Sequence, residues 1–120
     1  MITYGATVYD SLFCARELER EGYSIEVVDI RTINPLDENL IYDSVKRTSK
    51  VMVIHEDTLT AGFGAEIAAR ISDNCFRYLD APVKRIAAED APVPYHPLLE
   101  KAILPTKEKI FNAMKNLLEY

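Results

Sequence analysis

His55, Glu56 and Asp57 stand in a row, and Gly62 and Gly64 follow them closely. A histidine beside carboxylates is a set that general acid-base catalysis uses, because imidazole gains and loses its proton near neutral pH. Two glycines ahead of a helix let backbone N–H groups approach an anion, so a nucleotide phosphate is the ligand such a turn could hold. Each reading has a plainer rival. Successive side chains of an extended chain point to opposite faces, so His55 and Glu56 need not share a cleft, and a histidine ending a buried strand is often held by local hydrogen bonds. The pattern G-x-G-x-x-G also lacks its third glycine, since Ile67 stands there, which leaves a tight turn with close backbone contact.

Other chemistry is sparse. Cys14 and Cys75 show neither C-x-x-C nor Cys/His spacing and read as small buried hydrophobes of a reduced, intracellular protein, without a metal site. His96, between Tyr95 and Pro97, reads as a surface packing residue. No G-x-S-x-G elbow and no G-K-[ST] loop occurs, which argues against a self-contained hydrolase and a P-loop nucleotide enzyme. Asp80, Glu89, Asp90, Glu119 and the terminal carboxylate of Tyr120 form an acidic set. Such charges usually make a solvated surface, but beside an aromatic anchor they also make a receptor for arginine or lysine on a partner. The net charge of -5 argues against nucleic acid and favours a basic protein partner.

Alternating strands and helices must position these residues. A chain of 120 residues, 48% hydrophobic, is expected to form one domain over residues 1–120. A short strand is expected at 2–4, and its abrupt start suggests a fragment of a longer chain. A helix follows at 7–21 with Val8, Leu12, Ala15 and Leu18 at helical spacing, and Gly22 ends it. Residues 24–30 are rich in β-branched types and read as a central strand. Asn34-Pro35 breaks the chain, and Asp37 caps a helix to about 48 with Leu36 and Ile41 as its hydrophobic staple. A third strand is expected at 50–55, which puts His55 at its end, and a helix from 64 or 65 to 76 with Ile67, Ile71 and Cys75 on one face. A fourth strand within 79–88 belongs near a sheet edge because of Pro82. The proline-dense stretch 92–97 reads as extended surface chain. Thr106 caps a last helix with Ile110, Met114, Leu117 and Leu118 inward. The fold class that follows is α/β, a three-layer α/β/α sandwich with a mostly parallel sheet of about five strands. With no apolar run of about 18 residues and no basic, apolar leader, no membrane role is expected and a cytoplasmic location is predicted.

Four ordered runs carry a resemblance across essentially the whole chain. They are Thr3-Tyr4-Gly5; Glu26-Val27-Val28-Asp29-Ile30-Arg31-Thr32-Ile33-Asn34-Pro35-Leu36-Asp37; His55-Glu56-Asp57 with Gly62-Phe63-Gly64-Ala65-Glu66-Ile67; and Leu79-Asp80-Ala81-Pro82-Val83-Lys84-Arg85. Together they resemble the C-terminal domain of the β-type subunit of thiamine diphosphate-dependent 2-oxo acid dehydrogenases, the transketolase C-terminal domain type. The branched-chain 2-oxoisovalerate type is the most similar, with pyruvate and acetoin dehydrogenases next.

The resemblance implies an enzyme that oxidatively decarboxylates a 2-oxo acid and passes the acyl group to a lipoyl carrier, a disulfide acceptor. It places thiamine diphosphate and magnesium in other domains, so no cofactor site and no catalytic residue is expected here, and the domain alone is expected to be inactive. It implies that His55, Glu56, Thr58, Gly62, Phe63 and Gly64 form a contact loop toward other domains or subunits and a symmetry-mate copy. It further implies that Asp80, Glu89, Asp90, Glu119 and Tyr120 receive the subunit-binding domain of the lipoyl acyltransferase. His55 is the one residue with a candidate role in a neighbouring active-site channel. Two alternatives stay open: a free-standing small-molecule or nucleotide-binding regulatory domain, and the C-terminal domain of a transketolase or deoxyxylulose-phosphate synthase.

Overall fold

The structure is a computed structural model that describes residues 1–120. Its strands are β1 (Ile2–Thr3), β2 (Val28–Asp29), β3 (Met52–Thr58) and β4 (Lys84–Ala88). Its helices are α1 (Thr7–Arg20), α2 (Glu38–Thr48), α3 (Phe63–Cys75), α4 (Pro97–Ile103) and α5 (Lys107–Leu118). The strands form one sheet in the order β2-β1-β3-β4, every neighbouring pair parallel. The sheet therefore has four strands, one fewer than the sequence suggests, and β2 lies at its edge instead of its centre. The cause is the short partner: the carbonyls of Met1 and Thr3 accept from Val28 and Ile30, and the Met1 amino group donates to the Glu26 carbonyl. Beyond that one bond, residues 24–27 form no strand.

Two apolar clusters flank the sheet, which makes the fold three-layered. Ile2, Val28, Val51 and Val53 meet Ile41 and Val45 of α2 and Ile67, Ile71 and Cys75 of α3. On the other face Met52 and Ile54 meet Cys14 and Leu18 of α1 and Ile110, Met114 and Leu117 of α5. Each fully buried isoleucine or leucine contributes about 1.5–3 kcal/mol by leaving water. The alternation of Val51 and Val53 with Met52 and Ile54 decides which face receives the next side chain of β3. His55 thus points to the α3 side.

Asp37 caps α2 through the Leu40 N–H, and Thr106 caps α5 through the Lys109 N–H. Three details differ from the sequence reading. On α1 the buried positions are Thr7, Ser11, Cys14 and Leu18, whereas Leu12 is 39% exposed. The helix keeps its period but is rotated, because the Thr7 hydroxyl is held by Thr3 and by the Tyr4 carbonyl. Helix α4 occupies chain that its prolines mark as irregular: Pro97 sits at the first helical position, where a missing N–H costs nothing, and His96 Nδ1 accepts from the Leu98 N–H. Strand β3 runs three residues past His55. No helix is long and apolar enough to cross a membrane.

Candidate functional site

In an open parallel sheet, ligands gather in the crevice outside the carboxyl ends of the strands, where the strand order reverses. With the order β2-β1-β3-β4 that point lies between β1 and β3. Thr3 pairs with Ile54, so Tyr4 and His55 follow side by side into the crevice. Their rings are stacked, with centroids 6.1 Å apart and planes within 1°. Phe63, the first residue of α3, meets Tyr4 edge-on at 6.3 Å. Three aromatic rings fill the place where a ligand would sit, and none of the five principal cavities is lined by His55.

His55 is 0% exposed, and neither Nδ1 nor Nε2 has a hydrogen-bond partner. Local hydrogen bonds, the plainer expectation for a strand-ending histidine, do not hold it. Close packing does. A β-carbon at Gly64 would fall 2.1 Å from Nε2, and one at Gly62 would fall 2.8 Å from Cε1 and 2.1 Å from the Thr58 carbonyl oxygen. The two glycines are therefore needed to bring the first turn of α3 against the imidazole. Burial pushes the His55 pKa below its usual value, Arg85 adds to this, and Asp57 opposes both. The shift favours the neutral ring, which packs as an apolar filler. Glu56 and Asp57 are exposed, and no shared acid-base cleft exists.

The loop after β3 is tied down at almost every residue. Leu59 donates its N–H to Ala88 and accepts from the Arg85 guanidinium on its carbonyl. The Thr58 hydroxyl donates to the Thr60 carbonyl, while the Thr60 N–H and hydroxyl both donate to Asp90. The Thr60 hydroxyl and N–H, with smaller help from Arg85, hold the Asp90 carboxyl below the usual aspartate range. Ala61 takes a left-handed φ of 60°, a conformation that costs a residue with a β-carbon about 1–2 kcal/mol.

The acidic set divides. Asp80 and Tyr120 line one hollow at the amino end of β4, beside Glu119 at the end of α5. Glu89 and Asp90 lie beyond the carboxyl end of β4, roughly 16 Å along the strand direction. Asp90 is engaged by Thr60, and Glu89 lies 3.9 Å from Lys109. Tyr120 is 75% exposed. No group of three or more His, Cys, Asp or Glu side chains could hold a metal ion. The sequence reading overlooked Tyr4, whose place beside His55 follows only from the strand pairing.

The family model of the transketolase C-terminal domain matches residues 1–110. The chain belongs to that family. As a transketolase C-terminal domain it is 42% identical, over its whole length, to the 2-oxoisovalerate dehydrogenase subunit beta of Bacillus subtilis. It is 40% identical to the pyruvate dehydrogenase E1 component subunit beta of Staphylococcus epidermidis, also over the whole chain. In both cases the domain spans 37% of the relative's length. Among solved structures, a split-gene transketolase in an inactive beta4 tetramer superposes with a TM-score of 0.84 at 24% identity, covering 98% of this chain and 38% of the other. That likeness concerns the fold. The thiamine diphosphate and magnesium that the resemblance implies do not fit this domain: the crevice is filled by Tyr4, His55 and Phe63, and no carboxylate cluster could carry the metal.

Proposed function

We propose that residues 1–120 form the assembly and docking domain of the β-type subunit of a thiamine diphosphate-dependent 2-oxo acid dehydrogenase. The branched-chain 2-oxoisovalerate type is favoured over the pyruvate type. The complete enzyme decarboxylates its 2-oxo acid on the cofactor, held elsewhere, and transfers the acyl group to a lipoyl carrier. The observation that carries this reading is the full-chain identity of 40–42% to β subunits of two such dehydrogenases. The filled crevice supports it from a different direction. A domain whose default ligand site is packed solid is suited to contacts, and a small-molecule regulatory domain would need the cavity that Tyr4 and Phe63 occupy.

The roles divide between the two ends of the sheet. Thr58, Gly62, Phe63 and Gly64, with Glu56 beside them, present a rigid loop to a neighbouring domain or to a symmetry-mate copy, and His55 sets the position of that loop. At the opposite end Asp80, Glu119 and the Tyr120 carboxylate receive the basic subunit-binding domain of the lipoyl acyltransferase, with Glu89 and Asp90 more distant. Exposed carboxylates of this kind act chiefly on encounter rate and are screened by salt. The test is calorimetric titration of that subunit-binding domain into the chain and its Asp80→Asn and Glu119→Gln variants. A several-fold loss of affinity at low salt, shrinking as salt rises, is the expected result. Unchanged affinity at low salt removes docking from this surface.

A further inference from the structure

His55 is sealed in without a partner for either nitrogen. A neutral imidazole bears this at the cost of one unpaired N–H, whereas an imidazolium carries two donors and a charge, and a buried charge with no partner is far more costly. The ring has no room to turn toward a partner where it stands. Tyr4 is stacked on it, no principal cavity reaches it, and a β-carbon would fall 2.8 Å from it at Gly62 and 2.1 Å from it at Gly64. A charged ring therefore gains water only if the turn leading into α3 moves aside. That turn has fixed ends and a pliant middle. Leu59 is held by Ala88 and Arg85, and Thr60 by Asp90, while the Ala65 N–H donates to the Gly62 carbonyl and closes the first turn of α3. Between them lie Ala61, whose left-handed φ of 60° is unfavourable for it, and two glycines that take up new φ and ψ values easily.

We propose that residues 61–64 are a proton-operated latch, which closes over the neutral His55 ring and swings open when that ring takes a proton, giving the imidazolium to water and to Asp57. The groups around the ring fit this division. The Tyr4 phenol stands at the end of β1, Asp57 on β3 supplies the one charge that favours the imidazolium, and Arg85 on β4 opposes it while bound to the Leu59 carbonyl. On α3 the first-turn carboxylate, Glu66, is already paired with Arg70. The direction follows from the two states of the ring. In the open turn it has the ordinary histidine value near 6.5, and in the closed turn burial holds it lower, so each pH unit below about 6.5 raises the open fraction up to about tenfold until the closed ring is protonated too. Asp90 stays ionised through this window because its carboxyl titrates below the usual aspartate range. Thr60 thus remains pinned while the turn beyond it opens. The consequence, though not the latch itself, rests on the assembly reading given above: Gly62, Phe63 and Gly64 belong to the contact loop, so acid releases the neighbour that the loop holds.

Amide hydrogen exchange of the 120-residue chain, corrected at each pH for the intrinsic chemical rate, tests the latch. The Ala65 amide is the reporter, because its bond to the Gly62 carbonyl breaks when the turn opens. We expect its protection to fall by about tenfold between about pH 6.5 and pH 5, while the Leu59 amide, bonded to Ala88, and the Val53 amide in the middle of β3 keep theirs. In His55→Gln, which cannot titrate, the Ala65 protection should be flat over the same range. His55→Leu serves as a second non-titrating variant should glutamine prop the turn open by itself. Constant protection of Ala65 in the wild type overturns the latch. So does a fall in step with Val53, which means that the ring meets water only by global unfolding, and so does a fall that persists in both variants, which assigns the opening to another group. Each of these results leaves the assembly reading intact, since the titration of the subunit-binding domain judges that reading separately.

Discussion

The imidazole of His55 lies where a side chain at position 64 would begin: a β-carbon on Gly64 would sit 2.1 Å from Nε2. This pair sets the distance between β3 and α3 at the carboxyl end of the sheet, and through it the start of the Thr58-to-Gly62 loop. The glycines that resemble a phosphate-binding turn are there to admit a ring.

Gly64→Ala is therefore expected to lower stability by about 2 kcal/mol, the cost typical of overpacking a tight interior. The same substitution in a His55→Ala background should cost much less, since the missing ring leaves room for the methyl group. Urea unfolding of the two single variants and the double variant measures the coupling. Additive losses would mean that the added methyl group meets something other than the ring.

Burial of His55 also makes stability depend on pH. Its folded pKa is depressed by desolvation, so the unfolded chain binds more protons than the folded one as pH falls. Stability from this source is complete above the unfolded value near 6.5 and declines as pH falls below it toward the lower folded value. In His55→Leu that slope should vanish. The substitution also removes two buried polar atoms without partners, each costing about 1–3 kcal/mol, against the loss of ring stacking worth about 0.5–1.5 kcal/mol. We expect His55→Leu to unfold at higher urea than wild type at about pH 6, below the unfolded histidine value, and an unchanged pH slope in that variant would assign the dependence to another group.

The layered architecture was legible in the sequence because its helices are strongly periodic and their ends are marked by Asp37, Thr106 and Gly22. Ile67, Ile71 and Cys75 on α3, and Ile110, Met114 and Leu117 on α5, are buried as their spacing requires. The length of β2 was not legible, because a strand is only as long as the partner beside it and β1 pairs at two residues. Helix α4 was hidden by the same prolines that start it. At the site, the glycines and His55 stood out, but their relation did not. Sequence spacing separates His55 from Gly64 by nine residues, and only the return of the chain over the sheet shows that one makes room for the other.

Ala61 offers a second stability test. Its φ of 60° carries about 1–2 kcal/mol of steric cost that glycine would not incur, while glycine adds about 0.5–1 kcal/mol of unfolded-state entropy. The balance favours Ala61→Gly by about 0.5 kcal/mol, read as a small rise in the urea midpoint at constant m-value. Ala61→Val should move the midpoint the other way by more than that amount, because a branched β-carbon is least tolerant of the left-handed region.

Asp90 fixes the tip of the same loop by accepting from both the N–H and the hydroxyl of Thr60. Asp90→Ala should free Thr60 and Ala61, while Leu59 stays held by Ala88 and Arg85 and the sheet stays intact, since β3 and β4 remain paired through Ile54 and Ile86. Amide exchange reads the difference: the Thr60 amide should lose its protection in the variant, while those of Val53 and Ile54 keep theirs. Acid should reproduce the effect in the wild type. The Asp90 carboxyl titrates below the usual aspartate range, so the tether is complete above that range and is lost as pH falls through the lower folded value. The Thr60 amide resonance, followed by nuclear magnetic resonance as the solution is acidified, should shift with that midpoint. If the loop makes the domain contact proposed for it, Asp90→Ala should also weaken assembly of the complete enzyme while leaving the fold of this domain intact. Assembly at wild-type strength with a freed Thr60 amide would take the loop out of the interface.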